Sequence, residues 1–186
     1  MEYKYQPKTK EELKKLCDDK TVYLGDIDTS LITDMSTLFY GSNRDDFSGI
    51  ETWDVSNVTD MHRMFYLAKS FNQPIGNWAV SNVTDMRFMF YGAERFNQPI
   101  GSWDTSKVKY MENMFNWAES FNQPIGSWDV SNVLYMSYMF KRAENFNQNL
   151  KGWKLHPNVR RADMFLECPI EKKFKPVKHR TKTAAR

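Results

Sequence analysis

The sequence lacks the features of a membrane protein, a secretion precursor and a low-complexity linker. No apolar run approaches the roughly 18 residues that a membrane-spanning helix needs. The N-terminus has no apolar core of the kind found in a secretion signal, so we expect a cytoplasmic chain or a mature form without its leader. Glycine and proline, with 8 and 7 residues, are too scarce for a flexible linker.

Residues that carry catalytic or metal chemistry are also scarce. The two cysteines, Cys17 and Cys168, lie at opposite ends of the chain, so we expect two free thiols rather than a disulfide. The three histidines, His62, His156 and His179, are far apart and have no paired cysteines, which argues against a zinc site. No Gly-rich phosphate loop or nucleophile triad is recognisable. The sequence therefore predicts no enzyme activity, no cofactor and no metal.

What the sequence does contain is a tandem repeat of 25 residues. Five tryptophans mark it: Trp53, Trp78, Trp103, Trp128 and Trp153. A fixed period of this length is typical of solenoid proteins, in which each unit buries its apolar face only by stacking on its neighbours. The period therefore predicts a solenoid with continuous ladders of equivalent side chains.

Two apolar periodicities alternate inside each repeat. Trp53 and Val55 are two residues apart, as on one face of a short strand. The spacing i, i+3, i+4, i+7 of an amphipathic helix follows at Met61, Met64, Phe65 and Ala68. The predicted fold class is therefore α/β, with one short strand and one short helix in each repeat.

Amide side chains recur at fixed positions of the repeat. They are Asn57, Asn82 and Asn132, together with the pairs Asn72-Gln73, Asn97-Gln98, Asn122-Gln123 and Asn147-Gln148. Because stacked loops leave backbone donors and acceptors facing one another, amides that supply both kinds of group are expected to form structural ladders.

The ends of the chain differ from the repeats. Thr9-Lys10-Glu11-Glu12 is a capping box that predicts a short helix over the open end of the first coil. The predicted organisation is an N-terminal cap at 1–26 (helix about 9–18, strand about 21–25), six repeats at 27–168 with degenerate first and last units, and a basic tail at 169–186.

The repeat resembles a known family. Its fullest form is Trp53-Asp54-Val55-Ser56-Asn57-Val58-Thr59-Asp60-Met61, then Met64-Phe65, Ala68 and Phe71-Asn72-Gln73-Pro74-Ile75-Gly76. Over about residues 24–168 this motif resembles the BspA-like leucine-rich-repeat surface proteins. The resemblance implies a right-handed solenoid with strands on one face, and a surface-associated binding or adhesion role without catalysis.

Candidate binding residues lie where the repeats differ from one another. Aromatic residues replace charged or small ones at Phe88, Tyr110, Trp117, Tyr135 and Tyr138, and surface aromatics often anchor interfaces. The alternative is that they pack against neighbouring repeats. A second row, on the exposed strand face, comprises Asp54, Asp104, Asp129 and Lys154; it is either a solvated ladder or a cation-binding stripe.

The C-terminal tail concentrates positive charge. Residues 171–186 carry a net charge of +6, which leaves −3 for the rest of a chain whose total is +3. The candidate residues for binding nucleic acid, anionic lipid or an acidic partner are Lys172, Lys173, Lys175, Lys178 and Arg180. The alternative is a solvated end.

Three functions are compatible with these features. The first is a non-enzymatic protein-interaction module, used in bacterial surface adhesion or host-factor binding. The second is a carbohydrate-binding adhesin that stacks sugars on exposed aromatic rings. The third is a cytoplasmic binder of nucleic acid or of an acidic partner through the basic tail. The sequence carries no signal for the oligomeric state.

Overall fold

The computed structural model describes residues 3–177, and the first regular element is an α-helix, α1, at Lys10–Asp18. The Thr9 hydroxyl caps it by accepting a hydrogen bond from the Glu12 N–H at 3.2 Å. Leu13 and Cys17 are buried, and burial raises the pKa of the Cys17 thiol to about 12. Lys10 reaches Asp34 of the first repeat at 3.2 Å. The helix therefore covers the N-terminal end of the repeats.

The strand predicted over residues 21–25 does not form. Leu24–Asp26 is a 3-10 turn, and Ile27 pairs with Tyr5 in a single parallel bridge. The Arg44 guanidinium donates hydrogen bonds to carbonyl oxygens of residues 17, 19 and 22. Of these only the Val22 carbonyl belongs to the predicted strand, and there a side chain takes the place of a strand partner.

Consecutive repeats lie one on top of the next. Single parallel bridges join one position of each repeat to the same position of its neighbour: Asp34, Asp60, Asp85, Tyr110, Tyr135 and Arg160. From each bridge onward, alternate N–H groups donate to the following repeat. In the second repeat the donors at 61, 63, 65 and 67 reach the carbonyls of 85, 87, 89 and 91 at 2.7–2.9 Å. The hydrogen bonds of this segment are therefore made mainly between repeats.

The helix predicted in each repeat is wrong. In residues 3–177, α1 is the only α-helix, and the segment from Met61 to Ala68 is a series of tight turns. The Met64, Tyr66 and Ala68 N–H groups bond three residues back, while the intervening N–H groups bond the next repeat. The chain still buries positions 61, 64, 65 and 68. The turns thus reproduce the i, i+3, i+4, i+7 spacing of buried residues that is typical of an amphipathic helix.

Left-handed backbone residues make these turns possible. Arg63 and Leu67 have φ of 56° and 54°, which places each at the third position of a turn where glycine is usual. The same two positions are left-handed in the other repeats, at Thr37, Gly41, Phe88, Gly92, Asn113, Trp117, Tyr138, Arg142, Asp163 and Glu167. Left-handed backbone costs a non-glycine residue about 1–2 kcal/mol, which the bonds between repeats must offset.

The short strand predicted around Trp53 and Val55 is also wrong. Within residues 3–177 the β-structure consists of isolated bridges, and the bridge of this repeat is at Asp60. Trp53 and Val55 are buried as expected, and Trp53 has an extended backbone, but neither residue pairs with another strand. The two-residue spacing of these apolar side chains reflects burial of one side of an extended segment, which is not part of a sheet.

Aromatic side chains stack through the core in the predicted ladders. Phe65, Phe90, Phe115 and Phe140 have neighbouring ring centroids 5.6 Å apart. Hydrogen bonds join the five buried tryptophans to the preceding repeats. The indole Nε1–H of each donates to a carbonyl oxygen 28 or 29 residues earlier, at 2.8–3.2 Å; the five are Trp53, Trp78, Trp103, Trp128 and Trp153. The amide ladder is present as well, since Asn97 Oδ1 accepts from the Asn122 N–H and from Gln123 Nε2.

From these contacts between successive repeats we propose that the units form a solenoid. A continuous buried core runs from Leu13 to Ile170. Such a core is the property that distinguishes stacked repeats from independent beads. The right hand of the coil stays a prediction from the resemblance.

Candidate interaction surface

The outward side chains of the turn segments form one surface, which we call the turn face. It comprises the exposed or half-buried residues of 60–69 and of the equivalent segments 85–94, 110–119 and 135–144. All five aromatic residues predicted as binding residues lie on it, and all five are half-buried. Phe88, Trp117 and Tyr138 are also left-handed residues. The predicted aromatics therefore share one surface, and none is fully exposed.

At the bridge column of the turn face, two stacked tyrosine rings lie between charged residues. The Arg87 Nε lies 3.0 and 2.9 Å from the two Asp85 carboxylate oxygens, and its guanidinium lies 4.9 Å from the Tyr110 ring. Tyr110 and Tyr135 stack with centroids 5.4 Å apart, and Arg160 lies 5.3 Å from Tyr135. Part of each ring is thus covered by a neighbouring repeat. This is the packing between repeats that was the alternative to a binding role for these aromatic residues.

Phe88 and Tyr138 contact cations in a similar way. The Arg63 guanidinium lies 5.0 Å from the Phe88 ring and 5.8 Å from Tyr66, and Lys141 lies 5.5 Å from Tyr138. Cation–π contacts at partly exposed sites contribute about 0.5–1 kcal/mol each. These contacts cover part of each ring, and both residues stay half-buried.

The sequence reasoning missed a tyrosine column on this surface. Tyr40, Tyr66 and Tyr91 stack with both centroid separations at 4.7 Å. Burial, followed by the neighbouring Tyr91 and Tyr40, raises the pKa of Tyr66. The signal was present in the sequence, because these tyrosines occupy the same position of three successive repeats. They extend the aromatic surface toward the first repeat.

Beside this column the turn face has a recess, which we call the notch. Its cavity of about 360 Å³ is lined by Leu67, Lys69, Tyr91, Gly92, Glu94, Trp117 and Glu119. The notch exists because Gly92 has no side chain: a Cβ there would lie 2.5 Å from Leu67 Cδ2. In the next repeat Trp117 occupies the same position, so its indole forms one wall.

The charges around the notch are mostly negative. Glu94 pairs with the exposed Lys69 at 2.7 Å, whereas the Glu119 carboxylate has no ion-pair partner among residues 3–177. On the far side, the Arg142 guanidinium lies 4.4 Å from the Trp117 ring and bonds Glu167 at 2.5 Å. The notch therefore combines an apolar floor, two aromatic rings and two carboxylates.

The strand-face row has a local structural role. Asp54, Asp104 and Asp129 are exposed, and each accepts a hydrogen bond from the N–H two residues later at 2.9–3.0 Å. Hydrogen bonds from Ser106 and Ser131 lower the pKa of Asp104 and Asp129 respectively. Lys154 is exposed at the end of the row. Among the described residues, no group of three or more His, Cys, Asp or Glu is arranged to hold a metal.

Part of the predicted basic tail lies on the last repeat. Lys172–Phe174 is a 3-10 turn, Lys173 pairs with Glu171 at 2.7 Å, and Lys175 lies 5.3 Å from the Phe165 ring. Lys178 and Arg180 lie outside the described residues. The described part of the tail thus binds to the repeats. Within residues 3–177 no helix is both long and apolar enough to cross a bilayer.

Comparison with known proteins identifies a family and gives no further relative. The model of the family described as "Mycoplasma protein of unknown function, DUF285" matches residues 11–105 and, again, 75–176. Neither the curated proteins nor the solved structures contain a match. Two overlapping matches are what a tandem repeat produces, and together they span nearly the whole chain. The chain belongs to the DUF285 family of unknown function.

Proposed function

We propose that this chain is a non-enzymatic protein-interaction module whose turn face binds a partner protein. The notch receives a lysine or arginine side chain of that partner. The observation that carries the proposal is the combination at one recess of Trp117 and Tyr91 with the carboxylates of Glu94 and Glu119. A long basic side chain matches the rings and the carboxylates, because its aliphatic part is apolar and its terminal group is cationic.

The magnitudes indicate how such a site would work. A cation near an aromatic ring contributes about 0.5–2 kcal/mol, and an exposed ion pair contributes about 0.2–1 kcal/mol. Together these contributions reach at most about 3 kcal/mol, so the notch alone binds a single side chain with a Kd of roughly 6 mM or weaker. Useful affinity requires the surrounding rings of Tyr66 and Phe88 to contact the partner as well, as in other aromatic-rich interfaces.

The resemblance to BspA-like surface proteins supports adhesion as the biological setting. A carbohydrate ligand is the alternative. Arg142, 4.4 Å from the Trp117 ring, competes with a sugar and with a cation alike, and only the cation is attracted by the carboxylates of Glu94 and Glu119. Nucleic acid fits the turn face poorly, since Glu94 and Glu119 would repel phosphate. The basic residues of the tail, such as Lys172 and Lys175, suit a polyanion better than the turn face does.

The test uses the indole N–H signal of Trp117 in the full chain. Five tryptophan indoles are hydrogen-bonded in the core, whereas Trp117 Nε1 has no acceptor among residues 3–177. N-acetyl-lysine amide and N-acetyl-arginine amide, titrated to roughly 100 mM, should shift the Trp117 signal. N-acetyl-glutamate amide and N-acetyl-norleucine amide should not. Equal shifts with glucose or galactose would favour the carbohydrate alternative.

Two glycines supply a matched pair of variants. Gly92→Asn fills the notch, and asparagine tolerates the left-handed backbone better than most residues. Gly41→Asn makes the same change at the equivalent position of the first repeat, where a Cβ would meet nothing within 4 Å. The shift should disappear in Gly92→Asn and persist in Gly41→Asn. If both variants retain it, the notch is not the binding site.

A further inference from the structure

The repeat around Trp103 departs from its neighbours on one surface. Residues 55–59 and 80–84 both read Val-Ser-Asn-Val-Thr, whereas residues 105–109 read Thr-Ser-Lys-Val-Lys. Lys107 and Lys109 are exposed, at the positions that Asn82 and Thr84 occupy in the preceding repeat. The same positions of the adjacent repeats hold uncharged residues, so two positive charges are concentrated at one level of the stack.

The two lysines line a cavity that spans four successive repeats. Its volume is about 530 Å³, and Leu134 forms the apolar part of its wall. The polar part of the wall consists of Thr84, Ser106, Lys107, Lys109, Asn132 and His156. None of these described lining residues is an aspartate or a glutamate. The cavity therefore has positive charge in its wall and no carboxylate to neutralise it there.

Hydrogen bonds hold several of these side chains in place. Lys107 Nζ donates to Asn82 Oδ1 at 2.7 Å, and Asn132 Nδ2 donates to the Ser106 carbonyl at 2.7 Å. An ammonium group has three donors, and within residues 3–177 neither Lys107 nor Lys109 forms an ion pair. Both lysines therefore keep donors for an anion.

His156 adds a third nitrogen donor. Its Nδ1 accepts a hydrogen bond from the Asn158 N–H at 3.2 Å, so the hydrogen of the neutral imidazole is on Nε2. The equivalent acceptor in the preceding repeat is the Asp129 carboxylate, which bonds the Ser131 N–H. The last repeat thus has a donor-bearing ring where the preceding one has an acid.

The chemistry of the wall favours one compact oxyanion. A phosphate or sulfate monoester presents three terminal acceptor oxygens, which matches the nitrogen donors of Lys107, Lys109 and His156. A long polyanion fits less well, because exposed acids lie beside the cavity. Hydrogen bonds from Ser106, and then the charge of Lys107, lower the pKa of Asp104, so that carboxylate is close to the lysine.

We propose that this cavity binds the phosphate or sulfate group of a small polar molecule. Lys107, Lys109 and His156 donate hydrogen bonds to the oxyanion, while Ser106 and Asn132 contact the polar remainder of the ligand. The site shares no residue with the notch, so each proposal stands or fails independently.

The experiment is an NMR titration of the full chain at pH 7.5 and constant ionic strength. The probes are glucose 6-phosphate, glucose 6-sulfate, inorganic phosphate and glucose. At least one of the three anions should shift the His156 ring signals and the Lys107 and Lys109 amides saturably, with a Kd of roughly 1–10 mM. Glucose should not shift them. Equal shifts with glucose, or no saturable shift with any of the anions, would overturn the proposal.

The same titration distinguishes the sources of the oxyanion. Binding of an ester about fivefold or more tighter than inorganic phosphate identifies the ester as the ligand, and equal binding identifies the free ion. An oligothymidylate of eight nucleotides tests the polyanion. If it binds about tenfold or more tighter than every small anion, the site is a nucleic-acid site and the proposal is wrong.

A matched pair of variants removes the same charge from two places. Lys107→Asn with Lys109→Thr restores the residues of the preceding repeat, so the fold tolerates it, and anion binding should weaken about tenfold or more. Lys8→Gln with Lys15→Gln removes two exposed charges near α1 and should leave binding within about twofold. Equal binding by the two double variants would show that net charge, not the cavity, attracts the anion.

Discussion

Replacing Trp103 by phenylalanine tests whether the indole hydrogen bonds hold successive repeats together. The Trp103 side chain is 4% exposed, and its Nε1–H donates to the Ile75 carbonyl at 3.1 Å. That carbonyl also accepts from the Trp78 N–H at 3.2 Å, so it keeps one hydrogen bond in the variant. The polar loss is therefore a net hydrogen bond, about 0.5–1.5 kcal/mol, rather than an orphaned carbonyl.

The smaller ring adds a cavity term. Phenylalanine leaves roughly 40 Å³ unfilled, which costs about 1 kcal/mol at about 24 cal/mol per Å³. The expected loss in the free energy of unfolding is thus about 2 kcal/mol, below the roughly 3–5 kcal/mol of a Trp→Ala change. Urea unfolding followed by circular dichroism, with an unchanged m value, measures it.

The matched control is Phe115→Leu, which opens a cavity in the adjacent column without removing a hydrogen bond and should cost about 1 kcal/mol. Hydrogen exchange supplies a second readout, since the Trp103 indole N–H should be protected and that of Trp117 should not. The reasoning is refuted if the two variants are equally destabilised and the Trp103 indole exchanges as fast as that of Trp117.

Three further perturbations address backbone strain, charge and thiol reactivity. Thr37→Gly should stabilise the protein by about 1 kcal/mol, because Thr37 has φ of 62° and is β-branched; Thr37→Ala should give little or none of this gain in thermal unfolding. Asp60→Asn should raise stability at neutral pH. Burial, aided by Asp85 and Asp34, raises the pKa of Asp60 above 3.8, so the folded wild type binds a proton more tightly and its unfolding free energy falls as pH rises through that raised value. The variant should lack this fall in urea titrations; an unchanged pH profile would contradict it. Finally, Cys17 should resist alkylation at pH 8 in the folded chain, because its pKa is about 12, and should react after denaturation.

Several features of the fold were predictable because each depends on a single residue type repeated at a fixed interval. The tryptophan and phenylalanine stacks follow from the 25-residue period, since equivalent residues of stacked units must meet. The amide ladder of Asn97 and its equivalents follows from the need to satisfy backbone groups in stacked loops. The capping box at Thr9 likewise predicted α1 to within one residue.

The notch was not predictable from the same patterns. It depends on Gly92 lying beside Trp117 in the next repeat, so it exists only once the repeats are stacked in register. Of the predicted binding residues, only Trp117 lines the notch; the strand-face aspartates instead cap turns.

By itself the sequence determined the length of the repeat and the identity of the core. Positions 61, 64, 65 and 68 are buried and therefore require apolar residues, whether the backbone there is a helix or a series of turns. The tertiary structure decided that this backbone is a run of turns rather than a helix. The alternate N–H groups of this segment donate to carbonyls of the next repeat, and these hydrogen bonds outweigh the strain of the left-handed backbone at Arg63 and Leu67. Arginine and leucine are not residue types that indicate a left-handed backbone, so the sequence did not reveal the turns.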